Sequence, residues 1–397
     1  MLAKKEIPFG RPWMDQADKD AVMEVLSGHI LTHGPKCHEF ENKFVEYISG
    51  GYAVTTSSCM ASLHLAPLHF KLKPGDEVLV PAQTHVATVH AIELVGAKPV
   101  FIDCELCTGN IDITQLESKI SEKTKAIIVV HFAGIPIEMD AVCVIAKQHN
   151  LVVIEDCALA LGCFYKGKHV GLWGDVGCFS FYPAKHITTG EGGMLVSKNE
   201  TTAAQVASFR AFNVDRTHAN RDIPGLYDVT GVGLNYRMSE MQAALGCTQL
   251  NKFPENLMRR KNNFSLLKKE LLAIDGVSTV LDSQNSACIN SHYCLIMILD
   301  ITIASKRNDF LKKLKAAGIG CSVYYPKPVP KMQYYQEKYR CDLSEYHNAS
   351  VLSDHSIALP VGPHLTEEDM LIIAHAIKNV IASSGVFQKL KTLETAS

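Results

Sequence analysis

The 397-residue sequence lacks most of the features that assign chemistry at a glance. It has no GxxxxGK[ST] loop, no GxGxxG, no HExxH and no GxSxG, which removes the P-loop, dinucleotide, zinc-protease and serine-hydrolase signatures. No apolar run approaches bilayer length, the longest resembling residues 126–130, so a membrane-spanning chain is excluded. Charge of one sign is not in excess. The 39 Lys and Arg against 41 Asp and Glu leave a formal −2, which argues against a nucleic-acid face or a polybasic membrane anchor. Residues 1–10 carry two lysines but no apolar core of a secretory signal. Thirteen cysteines, an odd number scattered along the chain, favour reduced thiols over a disulfide framework. These absences predict a soluble cytoplasmic protein. The lone Cys104-Glu-Leu-Cys107 and the His29/His33 pair lack further ligands, and no metal site is expected.

What is present is a strand–helix alternation. Ala17, Ala21, Val22, Val25 and Leu26 share one helical face, and Phe40, Phe44, Val45 and Ile48 make a second amphipathic stretch. Buried strands are predicted at 77–81, 99–103, 126–131, 151–156, 178–181 and 193–196, with a helix over 140–149. That pattern predicts a mostly parallel sheet with helices on both faces, and an active site at the carboxyl ends of its strands. After residue 250 the character changes. A lysine-rich helix at 259–272, a strand at 293–299 and a closing helix at 367–381, N-capped by Thr366, predict a smaller α+β domain. The expected division is 1–250 and 251–397, with 390–397 a loose tail.

Three segments carry chemistry. In Phe179-Ser-Phe-Tyr-Pro-Ala-Lys-His-Ile-Thr-Thr-Gly-Glu-Gly-Gly-Met194 a strand ends and a single lysine, Lys185, sits among apolar and small residues. A desolvated lysine can attack carbonyls, whereas a surface lysine would have no such role. Glu155 and Asp156 end a very apolar strand, and alternation sends them to opposite faces, so one alone enters the pocket. Thr55-Thr-Ser-Ser-Cys-Met-Ala-Ser62 leads from a strand into a helix, whose N-terminus either seats a phosphate or carries an ordinary serine cap. A lysine for a Schiff base, an acid for a ring nitrogen and a helix end for a phosphate form the inventory of pyridoxal phosphate (PLP) chemistry.

With these segments, the sequence resembles the DegT/DnrJ/StrS family of PLP-dependent sugar aminotransferases. The likeness runs through Ile7-Pro-Phe-Gly-Arg-Pro, Leu31-Thr-His-Gly-Pro35, residues 74–81, 95–103, the lysine segment, residues 235–244, Ser322-Val-Tyr-Tyr-Pro326 and Leu359-Pro360. It implies an aspartate-aminotransferase-like fold and a cytoplasmic homodimer in amino-sugar and polysaccharide biosynthesis. The substrates implied are a nucleotide-linked keto sugar and glutamate, in a ping-pong cycle. By resemblance, Lys185 forms the Schiff base and shuttles the proton, and Asp156 keeps the pyridine nitrogen protonated. Ser58, Cys59, Met60 and Ser180 hold the phosphate, His85 stacks on the ring, and Asn235 reaches the neighbouring subunit's cofactor. Segments at Thr32, His186, Tyr324 and Tyr325 contribute to the acceptor pocket.

Two departures stand out. Leu159 replaces the polar residue the family places after Glu-Asp-x-Ala, and Cys59-Met60 replace a glycine and a hydroxyl. Phosphate binding then rests on backbone amides, Ser58 and Ser180. The alternatives are a PLP-dependent sugar dehydratase, whose family members carry histidine at the lysine position, and a catalytically silent binding dimer. A keto-cyclitol acceptor is a further option within the family.

Overall fold

The computed structural model describes residues 5–215, 223, 225–280 and 285–383. The expected tail at 390–397 lies outside the described residues. The strands of the first part are β1 (Tyr52–Thr56), β2 (Glu77–Pro81), β3 (Lys98–Ile102), β4 (Thr124–Val130), β5 (Val152–Asp156), β6 (Phe164–Tyr165), β7 (Lys168–His169), β8 (Val176–Ser180) and β9 (Gly193–Ser197). The six predicted strands are all present, shifted by no more than two residues at either end.

Seven of these strands form one sheet in the order β1-β9-β8-β5-β4-β2-β3. From β8 to β3 every neighbour is parallel, because helices such as Val86–Leu94 and Met139–Gln148 return the chain between strands. At the other edge β9 runs antiparallel to both β8 and β1. Registers fix which ends meet. Asp156 pairs with Val130 and Cys178, Ser180 with Gly193, and Gly193 with Thr56. The ends of β5, β8 and β1 therefore open on one side of the sheet, where helix Cys59–His69 also begins.

In the C-terminal part, β10 (Val277–Thr279), β11 (Cys288–Ile289), β12 (Leu295–Leu299) and β13 (Ser356–Leu359) follow. The sheet β10-β12-β13 is antiparallel throughout. It packs against helices Phe253–Leu271, Arg307–Ala316 and Glu367–Ala382 through Leu267, Met297, Phe310, Ile357 and Ile373, all buried. The closing helix starts where predicted: Thr366 accepts from the Asp369 N–H and Asp369 bonds back, a capping box. The predicted strand at 293–299 begins later, at Leu295, and leaves Tyr293 outside the ladder. The lysine-rich helix begins earlier, at Phe253, with Pro254 in its first turn, where proline lacks only a donor that has no partner anyway.

The segment around Ile7 is joined to the C-terminal part. Ile7, 1% exposed, lies in the C-terminal core and bridges Ile319 in parallel, bonded to Gly318 and Gly320 at 2.9 and 2.7 Å. No helix among the described residues is long and apolar enough to cross a membrane.

Candidate active site

Strand β5 places its two carboxylates on opposite faces, as alternation requires. Glu155 is fully buried on the far face. Its Oε2 lies 3.1 Å from His131 Nε2 and accepts from the Gly171 N–H at 2.7 Å, and its Oε1 accepts from Trp173 and Gly174 at 2.8 and 2.6 Å. Burial pushes this carboxyl up, but His131 and the glycine amides more than offset it and hold it below its ordinary value. His131, Glu155 and Cys157 could in principle hold a metal ion, but those hydrogen bonds already engage both carboxylate oxygens of Glu155.

Asp156 is on the near face, 4% exposed. Its Oδ2 accepts from Thr88 Oγ1 at 2.8 Å and its Oδ1 from the Ala158 N–H at 3.0 Å, so each oxygen keeps accepting capacity. Lys185 is half-buried in the turn after β8, its Nζ 5.3 Å from the centre of the Tyr293 ring. Desolvation lowers its pKa, against the opposing pull of Cys59 and Asp156, which favours the neutral, nucleophilic amine.

Ser58 caps helix Cys59–His69, its Oγ accepting from the Ala61 N–H at 3.1 Å. The first-turn amides of Cys59 and Met60 have no acceptor within the helix and remain available to an anion. The segment is a serine cap and an open helix end at once. Gly193 makes room for it, since a Cβ there would stand 2.4 Å from the Ser58 carbonyl carbon. Burial holds the Cys59 thiol well above its usual value, so it is a neutral neighbour for an anion. Ser180 ends β8 beside this seat, paired with Gly193.

His85 caps helix Val86–Leu94 through Nδ1, accepting from Ala87 at 3.2 Å, and its ring meets Tyr325 at 5.8 Å. His85 keeps an exposed edge, and desolvation of the rest of its ring lowers its pKa, which favours a neutral ring. Tyr324 and Tyr325 come from the C-terminal part. The Tyr324 hydroxyl is 2.8 Å from that of Tyr293, and its carbonyl accepts from Gln83 Nε2 at 2.9 Å. Lys185, Asp156, Tyr324, Tyr325 and His85 thus gather where the two parts meet.

Three expected residues sit apart. His186 is 3% exposed and turned into the core, its Nε2 3.1 Å from the Ser291 carbonyl and its ring against Phe253 and Tyr293. It braces the turn behind Lys185. Thr32 lies on an exposed turn tied down where Glu240 N–H donates to the Leu31 carbonyl at 3.0 Å. Asn235 is exposed and bridges Ala211, ahead of a helix that Ser239 caps. Leu159, in place of the family's polar residue, is 2% exposed and offers only its carbonyl, to Ser291 Oγ at 2.9 Å. Sequence reasoning missed Thr88 and Tyr293. A hydroxyl three residues after His85 was a usable signal for the first. Tyr293 had none, being read as part of a strand.

Residues 12–378 match the DegT/DnrJ/EryC1/StrS aminotransferase family. The chain belongs to that family. GDP-perosamine synthase of Escherichia coli O157:H7 is 36% identical over 379 residues, covering 94% of this chain and 98% of that protein. The UDP-4-amino-4-deoxy-L-arabinose–oxoglutarate aminotransferase of Shewanella sediminis is 30% identical over 390 residues, 96% of this chain and all of its own. Among solved structures, Helicobacter pylori PseC, an aminotransferase of pseudoaminic acid biosynthesis, superposes with a TM-score of 0.90 at 28% identity, covering 96% of this chain and 100% of its own. Spr1654 of Streptococcus pneumoniae superposes at 0.89 in its PMP-form, with 28% identity over 94% of this chain and 98% of its own. Its PLP-form gives 0.88, with 29% identity over 95% and 98%. The family's members here are sugar aminotransferases on an α/β fold, and the expectations of fold, family and enzyme class hold.

Proposed function

We propose that this chain binds PLP and transfers the amino group of glutamate to a nucleotide-linked keto sugar by a ping-pong cycle. One observation carries the reading: a desolvated lysine, a carboxylate with accepting capacity left over and an open helix N-terminus converge at one end of the sheet. Bound PLP would supply an electron sink, a ring able to delocalise the charge left when a proton leaves the substrate carbon. The chain's own residues do the rest. Lys185 would hold the cofactor covalently and would take and return the proton at the substrate carbon. Asp156 keeps the ring nitrogen protonated. The amides of Cys59 and Met60, with Ser58 and Ser180, receive the phosphate, and His85 covers one ring face. Asn235, exposed in the single chain, reaches the cofactor of a second copy, which makes the active unit a homodimer.

The donor is supported by the Shewanella relative, whose name pairs an amino sugar with oxoglutarate, the keto acid of glutamate. The acceptor class is supported by two relatives named for GDP- and UDP-linked sugars. Lys185 stands against the dehydratase alternative. The test is optical. Protein loaded with PLP should absorb in the near-visible, glutamate should bleach the band, and a matching keto sugar from a nucleotide-linked panel should restore it. A band indifferent to glutamate while another amino acid bleaches it would remove glutamate, and no bleaching by any donor would remove transamination.

A further inference from the structure

The lysine, the ring carboxylate and the phosphate seat leave one buried polar chain unexplained, beside Asp156. Thr84 and Thr88 are 1% and 0% exposed, and their hydroxyl oxygens lie 2.8 Å apart. Thr88 Oγ1 donates to Asp156 Oδ2, also at 2.8 Å. A hydroxyl has one proton and an ionised carboxylate only accepts, so Thr88 donates to Asp156 and Thr84 must donate to Thr88. The direction of the chain is thereby fixed: Thr84 to Thr88 to Asp156. Two such bonds in series polarise one another away from water.

Resting on the functional reading above, we propose that Thr84 and Thr88 form a hydroxyl relay that positions Asp156 against the ring nitrogen. Thr88 touches neither substrate nor cofactor in this assignment and is a positioning residue. Its placement follows from the fold. Thr88 lies in the first turn of helix Val86–Leu94, whose cap is His85, so one helix start delivers both the ring-covering side chain and the relay. The Ala158 N–H fixes the other oxygen, so the carboxylate cannot rotate to satisfy the relay and turn away from the ring. Without Thr88 the carboxylate would lose the one side-chain donor it has among the described residues and with it its fixed position, so its pairing with the ring nitrogen would weaken and that nitrogen would give up its proton more readily. The ring would then withdraw less charge, and the nitrogen joining it to Lys185 would keep its proton to higher pH.

The experiment compares full-length wild type, Thr88→Val, Thr88→Ser and Thr84→Val, each loaded with PLP. The near-visible band is titrated with pH, and the glutamate half-reaction is followed over a range of glutamate concentrations. Thr88→Val, close in shape, should move the titration midpoint up by about one unit and slow the maximal half-reaction roughly ten-fold. The glutamate concentration giving half that rate should change little. Thr88→Ser should stay within about two-fold of wild type, and Thr84→Val should shift the midpoint in the same direction by less. A wild-type midpoint in Thr88→Val overturns the relay, as does Thr88→Ser failing as badly as Val, because packing would then explain both. Should Thr88→Val fail to fold, Thr84→Val decides alone, and its wild-type midpoint is again a refutation. A wild-type chain with no band at any pH overturns the functional reading instead, so the two failures are distinct.

Discussion

The two faces of strand β5 hold adjacent carboxylates and treat them in opposite ways. Glu155 has no exposure and four hydrogen-bond partners, three of them backbone amides from the Gly171–Gly174 loop, with His131 as the fourth. Asp156 has two partners, which leaves each of its oxygens with accepting capacity, and Lys185 and Tyr325 lie near enough to feel its charge. A saturated buried charge is a structural fastener, and removing its partners or itself exposes the penalty of the unpaired remainder. An unsaturated one is a site waiting for a donor. Polar groups buried to the same depth can therefore be told apart by counting what they still lack.

The largest expected effect lies on the unsaturated face. Lys185→Ala should abolish turnover while leaving Tm unchanged or slightly higher, since it removes a desolvated amine and no hydrogen-bonded partner. Purified mutant turning over at the wild-type rate would end the aminotransferase assignment. Asp156→Asn comes next, with a rate loss of ~10²–10³ and little change in Tm. Unchanged rates would erase the contrast between the faces. Glu155→Gln should do the reverse, placing an amide donor against backbone donors for a cost on the order of 3 kcal/mol and a clear fall in Tm, read by thermal or denaturant unfolding. If it costs less stability than Asp156→Asn, the assignment of roles is wrong.

Acid separates the faces further. The Glu155 carboxyl is depressed in the folded chain, so the unfolded chain binds its proton first as pH falls. Its contribution is complete above the unfolded carboxylate range of about 4.3 and is lost as pH falls through the lower folded value. Denaturant midpoints measured downward from neutral pH should fall less steeply in Glu155→Gln than in wild type, and parallel curves would remove Glu155 from acid stability. The smallest signal is in mixed assemblies. Exchanging subunits of Lys185→Ala with Asn235→Ala should restore part of the activity, because a shared site puts both defects in one pocket and neither in the other. No recovery after proven exchange would confine Asn235 to its own chain.

Much of this was legible because strands announce themselves by composition and alternation. The apolar run at 151–156 gave β5 to within one residue, and period two gave the split between Glu155 and Asp156. The turn after β8 was not readable in the same way. Loops have no period, so nothing local said that Lys185 would face the pocket while His186 turned inward to Ser291. Tyr293 looked like strand because apolar neighbours follow it, yet its ring lies beneath Lys185. Thr88 was legible only as a hydroxyl near His85, because its bond to Asp156 joins β5 to a distant helix. Contacts of that range are set by the fold, and periodicity carries no record of them.

The bridge between Ile7 and Ile319 has a consequence for how the molecule is made. Phe9 packs on Tyr324 with ring centres 5.9 Å apart, and a Cβ on Gly10 would touch Ala184, next to Lys185, at 3.3 Å. This segment crosses from the C-terminal core to the lysine turn, yet its pairing partner is translated about 310 residues later. The ribosome releases Ile7 long before Ile319 exists, so the segment must wait unpaired while the sheet forms around Asp156. Contacts of such sequence separation carry a large loop-closure cost and form late. The pocket is completed by segments far apart in sequence, and a nascent protein acquires its full site only after Tyr324 and Tyr325 have left the tunnel.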